Sequence, residues 1–322
     1  MTTPTPLISV IMPVRNGMPY IADAVQSVRN QTLGGLELIV VDDGSTDCTR
    51  AYLESLDYPE MVVIPSQARG AGAARRSGVK QARGRFIAWM DADDIAHPER
   101  LEVLAGYAER HPSVVAVGSQ VRFLVANQTR TACAYPFLHE EIVAGLRTGR
   151  PTMCNSSLLI RADAIRKVRM QPLTLGEDMD LLLRLSGVGR LENVGDVLLD
   201  VRISRSSSSY TRIAEQRFGT DFAVACDEAR RSGRAEPERE LYSRAWKRRP
   251  LWRRASLRMF VVHQRQFRES VILSAEGRTL RARIALACSA LFNPSAVVYQ
   301  LRRKLMSSRE NKHELQQLAR AD

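Results

Sequence analysis

The chain predicts an α/β fold with a mostly parallel sheet flanked by helices, followed by a basic, mainly helical region. Three observations carry that prediction. Short apolar runs alternate with stretches of helical period from Leu7 to Met90, polar aspartate-rich turns follow those runs, and the excess positive charge is confined to the last third of the 322 residues. Nearly continuous apolar strands that alternate with helices belong to parallel sheets covered on both faces.

Leu7 to Val14 is β-branched and apolar, and reads as the first strand. After it Ile21, Ala24, Val25 and Val28 recur at i, i+3, i+4 and i+7, which places them on one face of a helix. Leu36 to Val41 predicts the second strand, 47–56 a helix, Met61 to Ile64 the third strand, 72–83 a helix, and Phe86 to Met90 the fourth strand. In such a sheet a ligand sits beyond the carboxyl ends of the strands. Those ends read Pro13-Val14-Arg15-Asn16, Asp42-Asp43-Gly44-Ser45 and Asp91-Ala92-Asp93-Asp94.

Five carboxylates on one rim repel one another unless a cation or hydrogen-bond donors neutralise them. Asp91 and Asp93 stand two apart, so in extended backbone they point the same way and can share one divalent ion. A hard cation, Mg2+ or Mn2+, keeps several waters and bridges to substrate phosphates, so a nucleotide diphosphate would complete the site. The competing reading makes Asp93 or Asp94 the start of a helix with Pro98 in its first turn.

Composition bounds the rest. With 44% hydrophobic and 25% charged residues the chain can bury a core and is not a disordered protein. The five cysteines are an odd set without a C-x-x-C pair, which excludes a disulfide framework or structural zinc and fits a reducing compartment. No export signal and no clean membrane span are read, since Asn293 and Pro294 interrupt the best apolar run, Ile284 to Leu301. A cytoplasmic location is expected.

Five ordered segments, ISVIMPVRN, LELIVVDDGSTD, GAGAARRSGV, GRFIAWMDADDIAHPERL and GEDMDLLLRL, span residues 7–185 and resemble the family 2 glycosyltransferases. The resemblance implies the GT-A fold and an inverting transfer from a nucleotide-sugar donor to an acceptor hydroxyl. It implies that Pro13, Val14, Asn16, Asp42, Asp43, Arg75, Asp91 and Ala92 hold the nucleotide sugar. Asp93 with Asp91 would hold the metal, Asp178 would be the general base, and Glu177 would contact the acceptor. A carboxylate at Asp43 suits uracil, whose ring N3–H it can accept, so a UDP-linked donor is expected. The implied product is a cell-surface polysaccharide, glycolipid or other glycoconjugate.

Residue by residue, simpler roles compete. Asp42-Asp43-Gly44-Ser45 is good turn chemistry. Arg75, Arg76 and Lys80 could form a solvated helix face, and Arg76 stands where the family usually has Asn. Leu181, Leu182 and Leu185 share a helical face, so Asp178 lies at a helix start, where an N-cap is the ordinary role. Asp94 either orients the acidic pair or caps the helix that Pro98 starts, while Arg100 and Leu101 read as structural. Ser204 falls near a position where family members often carry a metal- or diphosphate-binding His. The serines from Ser206 to Ser209 read as a mobile loop that either closes over the donor or only links two parts.

By these signals residues 1–118 form the nucleotide-sugar-binding part, 119–205 the acceptor and base part of the same domain, and 206–322 the basic helical region. Residues 1–200 hold 21 basic and 23 acidic side chains, while 201–322 hold 26 and 12. In the basic region Trp246, Leu251, Trp252, Leu257, Met259 and Phe260 lie among six Lys and Arg residues from Lys247 to Arg258. That mixture suits an anionic membrane surface bound through residues 240–305, at the inner face of the cell membrane. A helical bundle with a solvated outer face explains it equally. Nucleic acid is not expected, for no standard binding module is present. A non-catalytic nucleotide-sugar-binding or scaffold protein of the same fold is the alternative to an enzyme.

Overall fold

A computed structural model describes residues 5–67, 70–125, 128–168, 170, 176–205 and 207–292. The first seven elements follow the predicted order: β1 (Ile8–Val14), α1 (Ile21–Arg29), β2 (Leu36–Asp42), α2 (Thr49–Glu54), β3 (Met61–Pro65), α3 (Ala71–Gln81) and β4 (Phe86–Trp89). Next come β5 (Ile95–Ala96), α4 (Arg100–Arg110), β6 (Val114–Val125), β7 (Gln128–Cys133), α5 (His139–Arg147), a 3-10 turn (Asn155–Ser157), β8 (Leu159–Arg161), α6 (Ala162–Lys167), α7 (Glu177–Leu185) and β9 (Arg190–Ile203). The helices α8 (Ser208–Thr211), α9 (Ile213–Arg231), α10 (Arg239–Lys247), α11 (Leu251–Ala275) and α12 (Thr279–Phe292) complete the described chain.

Contacts divide the chain into two compact units, one of residues 1–121, 135–201 and 217–242, the other of 122–134, 202–216 and 243–322. The sheet runs in the order β3-β2-β1-β4-β8-β6-β9-β5, with β7 beside β6. Its first four strands are parallel, while β8 is antiparallel to both β4 and β6. Chain order reverses across β1, whose neighbours are β2 and β4, and this is the kind of switch point where α/β sheets bind ligands.

Register explains why the polar turns meet. Val14 pairs with Asp42, and Ile11 pairs with Trp89, so β1, β2 and β4 end along one edge of the sheet. Behind that edge Ile11, Ile39, Val41, Ile87 and Trp89 are buried with Ala74 of α3 and Leu181, Leu182 and Leu185 of α7. Gly78 lets α3 lie flat on β1, since a Cβ there would come within 2.5 Å of the Ile11 side chain.

In the second unit α11 and α12 form a hairpin around Gly277, whose φ of 77° a glycine adopts without strain. His263 Nδ1 of α11 lies 2.9 Å from Ser289 Oγ of α12, both fully buried. Val125, Ile272 and Ala275 form a small core here with Phe123, Ile203 and Tyr210. The serine run is not wholly a loop: Ser208 and Ser209 open α8, and Ser207 donates both N–H and Oγ–H to the Ser204 carbonyl. Short side-chain-to-backbone bonds of this kind let serines start a helical turn. Ser206 lies outside the described residues. No helix among the described residues is long and apolar enough to cross a membrane.

Candidate active site

The turns after β1 and β2 are stitched together by their own polar groups. Asn16 has φ 54°, a left-handed conformation that Asn tolerates. Its N–H donates to Ser45 Oγ at 2.9 Å, and its Oδ1 accepts the Thr46 N–H at 2.8 Å. Asp42 is buried, and its Oδ1 accepts the Ser45 N–H at 2.9 Å, so this carboxylate shapes the turn. Asp43 is half-buried; its N–H donates to the Val14 carbonyl at 2.8 Å, and its Oδ2 accepts the Gly70 N–H at 2.5 Å. The Asp43 carboxylate thereby joins the β2 turn to the start of α3, beside the Pro13-Val14 backbone.

The acidic turn after β4 is held from two sides. Asp91, Ala92 and Asp93 are half-buried at its outer edge, whereas Asp94 is buried and its Oδ2 accepts from Ser156 Oγ at 2.6 Å. Asp94 does not cap a helix. The two-residue strand β5 intervenes, Glu99 occupies the N-cap of α4, and burial with a hydroxyl partner draws the Asp94 carboxylate inward. Arg100 is structural: fully buried, it donates to the carbonyls of Trp89 and Ser156, each at 2.7 Å. Burial lowers its pKa to about 10.

Arg75 reaches the same turn from α3. Its Nη2 donates to Asp91 Oδ1 at 2.5 Å and its Nη1 to Glu177 Oε1 at 3.1 Å, with the Arg75 side chain only 6% exposed. Burial works against the charge, but Asp91, Glu177 and Asp178 outweigh it and raise the Arg75 pKa. Arg75 is therefore no solvated surface cation.

Glu177 and Asp178 open α7, and Gly176 precedes them with φ 82°. A Cβ on Gly176 would stand 2.5 Å from the Gly219 backbone, so the glycine is required both for the turn and for the close approach. Asp178 is not the N-cap. It is the second helical residue, exposed, with Oδ1 accepting the Met179 N–H at 2.8 Å. Glu177 points inward, and burial, then the neighbouring Asp178, push its carboxyl up to about 7 against the pull of Arg75.

Two residues near the site carry no motif and escaped the sequence reading. Asn155, with its amide turned so that the carbonyl faces the guanidinium, accepts from both Nη atoms of Arg75 at 3.1 Å. Ser156 seats Asp94, as above. Burial, reinforced by Asp94, raises the thiol of Cys154 beside them to about 12, which disfavours the thiolate. Cys48, Cys154, Cys226 and Cys288 are all free thiols. Among the described residues no group of three or more His, Cys, Asp or Glu is arranged to hold a metal. Asp91 and Asp93 are hard oxygen donors of the kind that would suit a divalent cation completed by phosphate and water.

Residues 9–169, half the chain, match the family Glycosyl transferase family 2. An uncharacterised glycosyltransferase of Haemophilus influenzae is 30% identical over 226 residues, covering 66% of this chain and 70% of that protein. Chondroitin synthase of Escherichia coli is 25% identical over 218 residues, covering 66% of this chain but only 31% of its own length. Among solved structures, S. aureus TarS 1-349 in complex with UDP-GlcNAc superposes with a TM-score of 0.59 at 17% identity, covering 92% of this chain and 91% of that one. That likeness extends the same fold through the helical C-terminal region. With the acidic rim, the switch-point sheet and these matches in agreement, the chain belongs to glycosyl transferase family 2 and has the GT-A fold.

Proposed function

We propose that the protein transfers a sugar from a UDP-linked donor to an acceptor hydroxyl with inversion, in the synthesis of a cell-surface polysaccharide, glycolipid or other glycoconjugate. The observation that carries this reading is the Arg75 bridge, which joins the acidic turn after β4 to the acidic pair at the start of α7. A donor-side and an acceptor-side carboxylate thereby share one site. The TarS structures with UDP and UDP-GlcNAc, and the chondroitin synthase relationship, support the choice of donor and product class.

In this reading the Pro13-Val14 backbone and Asp43 receive the uridine, with Asn16 and Asp42 keeping their turn in shape. Asp91, Ala92 and Asp93 face the diphosphate, and Asp93 with Asp91 would hold a divalent cation. When bound, that ion supplies charge neutralisation on the departing UDP. Asp178, exposed at the N-terminus of α7, takes the proton as the acceptor oxygen attacks the anomeric carbon and the bond to the diphosphate breaks. Glu177 orients the acceptor.

A panel of UDP-, GDP- and dTDP-sugars with Mg2+ or Mn2+ tests the reading. UDP release by the wild type is expected, with Asp93→Ala losing metal-dependent donor binding and Asp178→Asn keeping donor binding while losing transfer. Full transfer by Asp178→Asn would remove it as the base. Donor binding without turnover in the wild type would favour a non-catalytic nucleotide-sugar-binding protein.

The second unit suggests where the enzyme works. Leu251, Trp252 and Met259 on α11, and Leu280, Ile284 and Leu291 on α12, are exposed apolar residues in a strongly basic segment. The hairpin docks on an anionic membrane surface, at the inner face of the cell membrane, near a lipid-linked acceptor.

A further inference from the structure

We propose that Arg75 is a positioning residue rather than a diphosphate ligand, and that Asn155 completes its seat. The proposal rests on the glycosyltransfer reading above and assigns a role within it. A guanidinium has five N–H donors, four of them on the Nη atoms. Asp91 takes one at 2.5 Å, Glu177 another at 3.1 Å, and the Asn155 carbonyl accepts from both Nη atoms at 3.1 Å. The remaining donor, Nε–H, is buried with no hydrogen-bond partner among the described residues. The guanidinium carbon lies 6.0 Å from the centre of the Trp89 ring, itself buried in the core. To bind a diphosphate, Arg75 would have to leave charge-assisted bonds inside the protein, the kind that is costly to break.

These partners come from three distant parts of the chain. Asp91 follows β4, Asn155 opens the 3-10 turn before β8, and Glu177 opens α7. Their common tie is one planar fork on α3. Because Asp178 is the next residue after Glu177, the fork also sets where the base stands relative to the donor-side turn. Lysine cannot substitute, since a single ammonium on a flexible stem lacks the rigid geometry that spans two carboxylates and an amide. Displacing reacting groups by about 1 Å can cost about 100-fold in rate.

The test compares wild type, Arg75→Lys and Asn155→Ala by calorimetric titration of UDP in the presence of Mn2+, and by UDP release from the donor that the wild type turns over fastest, starting with UDP-GlcNAc. Arg75→Lys is expected to lower kcat about 100-fold while the Kd for UDP moves less than about threefold. Asn155→Ala, which keeps every charge, should lower kcat about tenfold with the same split. Combining Arg75→Lys with Glu177→Gln should lose little beyond Arg75→Lys alone, since both act on one unit. Weaker UDP binding in Arg75→Lys with an unchanged kcat would make Arg75 a diphosphate ligand and overturn the proposal. An unchanged kcat in Asn155→Ala would overturn it too, even if Arg75→Lys failed to fold. Absence of UDP release by the wild type across the whole donor panel would defeat the glycosyltransfer reading itself, an outcome distinct from both.

Discussion

Asp94 and Ser156, 62 residues apart, meet at 2.6 Å between Oδ2 and Oγ, and both are buried. The bond ties the turn that carries Asp91 and Asp93 to the segment before β8. Ser156→Ala removes one donor from a buried carboxylate, a change that typically costs about 1–3 kcal/mol. Urea unfolding is expected to show that loss. Stability within about 0.5 kcal/mol of wild type would mean that the hydroxyl carries nothing there.

Gly176→Ala probes the start of α7. Left-handed backbone costs a non-glycine residue about 1–2 kcal/mol, and the added Cβ also meets the Gly219 backbone, which cannot swing aside as a side chain would. A lower Tm and a kcat reduced more than UDP affinity are the expected outcomes, since the donor turns are untouched. Equal losses in kcat and in UDP binding would place the damage beyond α7.

Much of this site could be read from the chain alone, because strands and their polar exits are local features. The run from Leu7 to Val14 and the period of Ile21, Ala24, Val25 and Val28 became β1 and α1. The later strands were not legible in the same way. β5 has two residues and β8 three, too short for any alternation, and both pair antiparallel with distant partners. The cap alternative for Asp94 fails for a related reason: Asp followed by Pro98 carries helix-start chemistry, and only the pairing of Ile95 with Asp200 turns that stretch into a strand. Asn155 and Ser156 left no signal, being ordinary polar residues whose partners lie far away in sequence. The tie of Arg184 to Asp180 at 2.8 Å and to Glu236 at 2.6 Å, which fixes α7 from behind, was equally invisible.

Glu177 gives a pH dependence whose sign is set by burial. Its carboxyl is raised from 4.5 to about 7 in the folded protein. Between those values the folded state binds more protons than the unfolded state, so the stability that this group contributes at low pH is lost as pH rises toward 7. Glu177→Gln removes that titration. The Tm of Glu177→Gln minus that of wild type should therefore increase from about pH 4.5 to about pH 8. A difference that stays constant across this range, measured by thermal melts in matched buffers, would show that Glu177 titrates as an ordinary carboxylate.

The two readings of the basic tail differ in what the α11–α12 hairpin should bind. Leu280, Ile284 and Leu291 stand at i, i+4 and i+11 and share one face of α12, while Trp252 is 66% exposed on α11 with the Arg253 guanidinium 5.0 Å from its ring centre. Exposed apolar surface of this extent marks a contact with another protein or with a membrane. Each Arg near an anionic bilayer adds about 1 kcal/mol, so reversing two charges with Arg253→Glu and Arg254→Glu should cut partitioning more than tenfold. Sedimentation with phosphatidylserine-containing vesicles is expected to retain the wild type, to lose it with rising salt, and to retain less of Trp252→Ala and of the charge-reversed variant. Equal binding to neutral phosphatidylcholine vesicles, or indifference to both changes, would exclude electrostatic docking through α11. Salt-sensitive binding to duplex or single-stranded nucleic acid in place of vesicles would instead assign the charge to a polynucleotide.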